Sequence, residues 1–299
     1  MVKLTIFTPT YNRATLLPRL YQSLTAQVEQ DFEWLIIDDG SSDDTESVVA
    51  SFIADQKLDI RYLKKENGGK HTAHNMAVQE AKGEYFFCVD SDDWLADDAL
   101  TKIMAGLMHM KEMDYALMGY KVLENRELIC KPFPDINHHI GFYQMGRLGV
   151  GGEYAIVMRT SILRKYPFPV IQGERFSTEA VLYDRLELDG YTVCPLNAIL
   201  TICEYQNNGL SSNAYRLLEQ SPTAYQIYHM QRIDLVHGLK ERIRHATQYQ
   251  AFCQLSGNRS YRYQGTHKCC VGFAYILGVA GALYYKKKFN SIRKNDTCV

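Results

Sequence analysis

Two carboxylates one residue apart, Asp90 and Asp92 in Val89-Asp90-Ser91-Asp92-Asp93-Trp94, place hard oxygen donors close enough to share a divalent cation, which in turn can hold a diphosphate. An acidic turn ahead of a helix has a second reading, stabilisation of the helix N-terminus, and Asp97-Asp98 fit that reading. Asp38-Asp39-Gly40-Ser41-Ser42-Asp43 is another acidic turn whose side chains suit local capping equally well. Pro9-Thr10-Tyr11-Asn12-Arg13 offers an aromatic face, polar donors and a cation, although Tyr11 could equally be packed. Asn67-Gly68-Gly69-Lys70 offers backbone N–H groups and an ammonium suited to phosphate, although a Gly-Gly turn needs no ligand to explain it. Neither G-x-x-x-x-G-K-[ST] nor G-x-G-x-x-G occurs, so a P-loop or a dinucleotide fingerprint is not indicated.

These clusters need a frame, and the first hundred residues supply one. Short β-branched or aromatic runs alternate with helical patterns, a rhythm of βαβ units that form a parallel sheet covered by helices. Leu4 to Phe7, Glu33 to Ile37, Ile60 to Leu63 and Tyr85 to Val89 are the expected strands. Leu16, Leu17, Leu20 and Leu24 form the apolar stripe of the first helix, and Ser42 or Asp43 is placed to cap the second. Each chemically suggestive cluster therefore follows a strand, and right-handed crossovers bring those strand ends to one rim, where open α/β sheets bind ligands.

Beyond residue 112 the pattern is less regular. Tyr115 to Leu123, Glu153 to Met158 and Tyr191 to Tyr205 have strand character, Ser177 to Asp189 is helix-like, and a tyrosine-rich, basic, helical tail begins near Ser212.

Four signals at successive strand ends, in order, resemble the family 2 glycosyltransferases. The likeness rests on Pro9-Thr10-Tyr11-Asn12-Arg13, Ile37 to Asp43, Asn67-Gly68-Gly69 with Asn75, and Val89 to Trp94. It is specific over the first 110 residues and looser to about residue 210. The resemblance implies a GT-A fold: an α/β, Rossmann-like, mixed but mainly parallel sheet flanked by helices, here with a helical C-terminal tail. It implies a domain over residues 1–210, with a nucleotide-sugar-binding half at 1–112 and an acceptor half at 113–210, followed by a basic tail at 211–299.

The resemblance further implies a nucleotide-sugar donor, most simply a UDP-sugar, and inversion at the anomeric carbon on transfer to a hydroxyl of a polysaccharide or lipid-linked glycan. Carried over by position, Pro9 to Arg13 line the donor site, Thr10, Tyr11 and Asp39 meet the nucleobase, and Lys70 meets the nucleobase or phosphate edge. Asp90, Ser91 and Asp92 form the DXD site for ribose and Mg²⁺ or Mn²⁺, with Asp90 and Asp92 as the metal ligands. The family's base often lies in a Glu-Asp pair at a helix start. The matching stretch is Phe176 to Arg185, where Ala180 replaces the second acid, leaving Glu179 as the expected base, with Asp184 and Glu174 as competitors. That replacement also leaves open a non-catalytic glycan-binding scaffold with a degenerate fold. A sugar nucleotidyltransferase is disfavoured by the missing Gly-rich phosphate loop after the first strand.

Composition agrees with a globular protein that can bury a sizeable core: of 299 residues, 46% are apolar and 22% charged, which excludes disorder and collagen-like order. The net charge of -1 gives no reason to expect a nucleic-acid partner. It hides an asymmetry, because residues 240–299 carry eleven Lys and Arg against two acids, or +9, leaving -10 on the rest. The eight cysteines, with no C-x-x-C, are expected to be reduced core residues. The N-terminal residues lack a basic leader or signal-like apolar run, which predicts a cytoplasmic catalytic part. Cys269 to Tyr285 is a 17-residue stretch without charge, between Lys268 and Lys286-Lys287-Lys288. As a helix it would be about 25 Å long, at the lower edge of what crosses a bilayer, and Gly272, Gly278 and Gly281 weaken a simple span. Two readings stand: peripheral contact with the cytoplasmic face of the inner membrane through 269–288, or a helix packed on the catalytic domain.

Overall fold

A computed structural model of the chain describes residues 2–204 and 214–296. The chain divides into two compact units, one made of Met1–Pro167 with Asp189–Gln206 and the other of Phe168–Leu188 with Asn207–Val299. The expected division at residue 210 lies outside the described residues, as do Tyr205, Ser212 and Cys298. By packing, residues 168–188 group with the C-terminal helices.

The first unit is built on β1 (Leu4–Thr10), β2 (Phe32–Asp38), β3 (Ile60–Lys64), β4 (Tyr85–Cys88), β5 (Trp94–Leu95), β6 (Asp114–Leu123), β7 (Tyr154–Arg159) and β8 (Thr192–Cys203). They form one sheet in the order β3-β2-β1-β4-β7-β6-β8-β5. Strands β3, β2, β1 and β4 are mutually parallel, β7 runs antiparallel to both β4 and β6, and β5 runs antiparallel to β8. Every residue of β2 is buried, as a parallel strand covered on both faces requires. Crossover helices α1 (Leu17–Thr25), α2 (Thr45–Asp55) and α3 (Lys70–Glu80) join the first four strands, and α4 (Ala99–Leu107) follows β5. Short helices α5 (Phe142–Arg147) and α6 (Thr160–Leu163) flank β7. Leu17, Leu20 and Leu24 of α1 pack against Ile6, Trp34 and Ile36 in the main core, which also takes in Phe87, Leu100, Leu117, Val157 and Leu200.

The second unit is helical: α7 (Ala180–Leu188), α8 (Ala214–Gln220), α9 (Pro222–Leu235), α10 (Leu239–Ser256), α11 (Lys268–Phe273) and α12 (Tyr275–Asp296). Its core contains Ile233, Ala246, Tyr249 and Ala274. Gly278 has a packing role the sequence reading missed: a Cβ there would lie 2.3 Å from Gln250 Cβ, so the glycine lets α12 press against α10. Among the described residues no helix is long and apolar enough to cross a membrane.

The expectation of core cysteines needs one correction. Among the described residues all seven cysteines are free; Cys130, Cys194 and Cys203 are buried, but Cys269 is exposed, because it lies on a short helix with no buried side chain.

Candidate active site

Winding of the sheet reverses between β1 and β4, and the crevice beyond the carboxyl ends at such a switch is where open α/β sheets bind ligands. Pairing of β1 with β4 ends at Phe7 and Cys88, whereas β1 stays paired with β2 to Thr10 and Asp38. The Val89 N–H bonds Phe7 O at 2.9 Å and the Asp39 N–H bonds Thr10 O at 2.8 Å, so even-numbered residues of β1 face β2 and odd-numbered ones face β4. Pro9, which has no N–H to give, therefore falls on the side where β4 has already departed, and its missing donor breaks no ladder bond.

The loops after β1 and β2 are stitched together. Asn12 adopts a left-handed conformation (φ 53°), which asparagine tolerates, and donates its N–H to Ser41 Oγ at 2.8 Å while its Oδ1 accepts from the Ser42 N–H at 2.8 Å. Asp43 accepts from the N–H of Thr45 at 3.1 Å in the first turn of α2, and from the Ala14 N–H at 3.1 Å. Tyr11 is left 49% exposed at the strand end, while the buried Thr10 Oγ1 has no hydrogen-bond partner among the described residues.

Asp39 is engaged within its own loop system. Its Oδ1 accepts from Lys65 Nζ at 2.5 Å and from the Gly68 N–H at 3.0 Å, and its Oδ2 accepts from the Gly69 N–H at 2.7 Å. Gly69 stands at φ 92°, a conformation that favours glycine and that turns its N–H toward Asp39. Lys70, expected at the end of the loop, is the first residue of α3, and its Nζ lies 2.8 Å from Asp90 Oδ1 and 3.0 Å from Oδ2.

The segment after β4 gathers the charge. Arg13 Nη1 is 3.7 Å from Asp92 Oδ2, and Ser91 is buried beside it. Burial alone would raise the Asp90 carboxyl, but Lys70, Lys121 and Arg13 outweigh it and hold it below the ordinary carboxylate range. Asp93 is pushed up instead, by burial first and by the neighbouring charges of Asp90 and Asp92, against the pull of Lys121. Lys121 Nζ, from β6, sits 2.8 Å from Asp93 Oδ2 with both side chains largely buried. Burial opposes the Lys121 charge, yet Asp93 and Asp90 together raise its pKa. Arg19 closes the other flank: its Nη2 donates to Asp92 O at 3.1 Å, its guanidinium stacks 3.8 Å over the Trp94 ring, and its Nη1 pairs with Glu204 at 2.8 Å. Lys121 and Arg19 escaped the sequence reading; the available signal was a lone lysine inside the apolar run Tyr115 to Leu123.

The structure thus brings Pro9, Thr10, Tyr11, Asn12, Arg13, Asp39, Lys70, Asp90, Ser91 and Asp92 to one rim of the sheet. Asp90 and Asp92 are oxygen donors of the kind that suit Mg²⁺ or Mn²⁺, and each is already neutralised by a cation side chain that a metal ion could replace. A different cluster, Asp114, His139 and Cys194, has ligand atoms within 4.8 Å of one another and could also hold a metal ion. It lies at the starts of β6 and β8, the opposite rim, and its Asp114 carboxylate already accepts from the Lys111 N–H, the Thr192 hydroxyl and the His139 ring, each at 2.6 Å.

The three acids considered for the base belong to the second unit. Glu179 is exposed and directly precedes α7, and its charge helps raise the Tyr225 hydroxyl, whose shift to about 12 comes first from burial. Glu174 is spent on a helix cap, accepting from the N–H groups of Thr223 at 2.8 Å and Ala224 at 2.9 Å in the first turn of α9. Asp184 is buried against Arg232, whose Nε is 2.5 Å from Oδ2; burial raises its carboxyl to about 6 despite that partner.

The architecture has solved counterparts. Staphylococcus aureus TarS, in a structure of residues 1-349 with UDP-GlcNAc, superposes with a TM-score of 0.62 over 97% of this chain and 92% of that one, at 16% identity. The mannosyltransferase PcManGT of Pyrobaculum calidifontis, in complex with GDP-Man and Mn2+, gives 0.56 over 94% and 87%, at 17% identity. The fold is that of a GT-A glycosyltransferase. Residues 5–146 match the model of Glycosyl transferase family 2, so this stretch of the chain is a domain of that family.

In sequence the chain is 29% identical, over 227 residues, to the Campylobacter jejuni GalNAc(5)-diNAcBac-PP-undecaprenol beta-1,3-glucosyltransferase, which covers 73% of this chain and 71% of that protein. It is 30% identical over 128 residues to the poly(ribitol-phosphate) beta-N-acetylglucosaminyltransferase TarS of Staphylococcus aureus, covering 42% of this chain but only 22% of TarS.

Proposed function

We propose that the protein is a metal-dependent, inverting enzyme that transfers a sugar from a UDP-sugar to a hydroxyl of a polysaccharide or lipid-linked glycan. The observation that carries this reading is the pair Asp90 and Asp92 beside the β1–β4 switch, with Lys70 and Arg13 within reach of the same carboxylates. The substrates for which those relatives are named, an undecaprenol-linked glycan and a poly(ribitol-phosphate), favour acceptors of this kind.

In this reading Tyr11 presents its exposed ring to the nucleobase, with Thr10 and Asp39 shaping the edge that it meets. Pro9 and Asn12 fix the loop, and Ser91 packs beneath the ribose side. Asp90 and Asp92 would hold Mg²⁺ or Mn²⁺, which when bound neutralises the departing diphosphate as a Lewis acid. Lys70 and Arg13, freed from their carboxylates, bind the same phosphates. Glu179 takes the proton of the acceptor hydroxyl. Residues 1–210 form the transferase, and 211–299 a tail that keeps the enzyme in peripheral contact with the cytoplasmic face of the inner membrane.

A thermal-shift titration with nucleoside diphosphates, with and without Mn²⁺, tests the donor assignment through binding to the native state. Stabilisation by UDP that needs Mn²⁺ supports it. Preference for another nucleotide reassigns the donor, and indifference to all of them overturns the reading.

A further inference from the structure

Helix α12 turns a narrow stripe to its neighbour and leaves a broad apolar face uncovered. Ala274, between α11 and α12, and Gly278, Ala282 and Phe289 of α12 are buried, at spacings of one or two helical turns, and the missing Cβ of Gly278 lets α12 approach α10. On the remaining surface, Phe273, Ile276, Leu277, Leu283 and Tyr284 are exposed at 72%, 79%, 49%, 64% and 57%. Scattered exposed apolar side chains are ordinary, but these five and the equally exposed Tyr275, six within twelve residues, make a patch of the kind that marks an interaction surface. Charge continues the pattern: Lys286, Lys287 and Lys288 are all exposed immediately after the patch, Lys268 is exposed before it, and no Asp or Glu occurs from Lys268 to Asn295.

We propose that the outer face of α11 and α12 docks side-on onto an anionic lipid bilayer, with Phe273, Ile276, Leu277 and Leu283 entering the acyl boundary, Tyr284 at headgroup depth and Lys286 to Lys288 on the lipid phosphates. The inference rests on the peripheral-membrane reading above and names its contact face and lipid chemistry. The arrangement is that of an in-plane helix: apolar side chains on one side, lysines beside them, and the opposite stripe committed to protein. The charge favours a phosphate-bearing surface over a second copy, because this face carries lysines and no acid that could pair with them across a self-association contact.

Flotation of the full chain with vesicles tests the proposal, comparing pure phosphatidylcholine with phosphatidylcholine containing about 30% phosphatidylglycerol. The chain is expected to float with the anionic vesicles and to stay behind with the neutral ones. Phe273→Ser combined with Ile276→Ser and Leu283→Ser should abolish flotation. Replacing Lys286, Lys287 and Lys288 by Gln should weaken binding ~10-fold or more and erase the preference for anionic lipid. All six positions are exposed, and the contact of Lys288 Nζ with the Tyr215 ring, 5.5 Å to its centroid, is worth about 0.5–1 kcal/mol at such a site, so unfolding midpoints should stay close to the wild-type value. Ile276→Trp provides a second readout, since its fluorescence should be quenched by acyl-brominated lipid. Wild-type flotation in both multiple variants, no flotation of the full chain, or a concentration-dependent dimer lost in the Ser variant without any vesicle binding would each overturn the proposal. Nucleotide binding measured on the same samples separates the two readings: its loss with flotation intact counts against the enzyme assignment alone, and the reverse counts against docking alone.

Discussion

Lys121, near the end of β6, reaches Asp93 from beneath the acidic loop, with 2.8 Å between Nζ and Oδ2 and side-chain exposures of only 13% and 8%. The Lys121 charge also helps hold the neighbouring Asp90 carboxyl below the ordinary carboxylate range. Removing one member of a buried pair leaves the other charge uncompensated, at a cost of about 3 kcal/mol or more. Lys121→Met should therefore destabilise the fold strongly. The Asp93 carboxyl is already raised by burial, and loss of the lysine raises it further. A group whose folded pKa exceeds its unfolded value favours folding at low pH and loses that contribution as pH rises through the folded value, so the penalty should be larger at pH 8 than at pH 5. Urea unfolding at both pH values checks this, and equal penalties would show that Asp93 stays ionised without its partner.

Donor binding and transfer should separate by residue. Asp92→Ala should lose both, because it removes a proposed metal ligand and the partner of Arg13. Glu179→Gln should bind UDP-sugar as the wild type does and lose transfer by ~100-fold or more, the range for a missing general base. Calorimetry alongside a turnover assay measures both quantities, and full activity in Glu179→Gln would reassign the base.

Asp184 makes a signed prediction within the helical unit. Burial lifts its carboxyl from the ordinary carboxylate range to about 6, despite Arg232. The associated stability is fully present below the unfolded pKa and is lost as pH rises through about 6. Unfolding free energy should thus fall between pH 4 and pH 7 by more in the wild type than in Asp184→Asn. The same slope in both proteins would remove Asp184 as its source.

Gly278 should tolerate no side chain. Gly278→Val forces α12 away from Gln250 and should cost about 1–3 kcal/mol through overpacking. Gly272→Ala, where a Cβ meets nothing within 4 Å, should be neutral or slightly stabilising. Chemical denaturation of the two variants distinguishes this close approach from a mere helix-propensity effect, which would rank both sites alike.

These contrasts also show which features were legible in the sequence. Strands β1 to β4 could be read because each is a short apolar run ending in a distinctive polar loop, and their order along the chain is enough to align those loops. The two-residue β5 could not, since Trp94 and Leu95 become a strand only through pairing with Ile202 and Thr201, more than a hundred residues away. Lys121 was invisible for the same reason: its partner Asp93 belongs to a loop 28 residues earlier. By sequence Glu174 competes with Glu179 for the role of base, whereas in the fold its two carboxylate oxygens cap α9. In the tail, Gly278 suggested a weak helix, whereas its missing side chain is what admits Gln250. Composition reports propensity; only the fold shows which neighbour a small residue makes room for.

The metal assignment is settled by a crystal grown with UDP and Mn²⁺ and measured at the manganese edge. An anomalous peak between the carboxylates of Asp90 and Asp92, in contact with the diphosphate, is the expected result. A peak at Asp114, His139 and Cys194 instead, or UDP bound in this crevice with no manganese beside it, would contradict the metal-dependent mechanism.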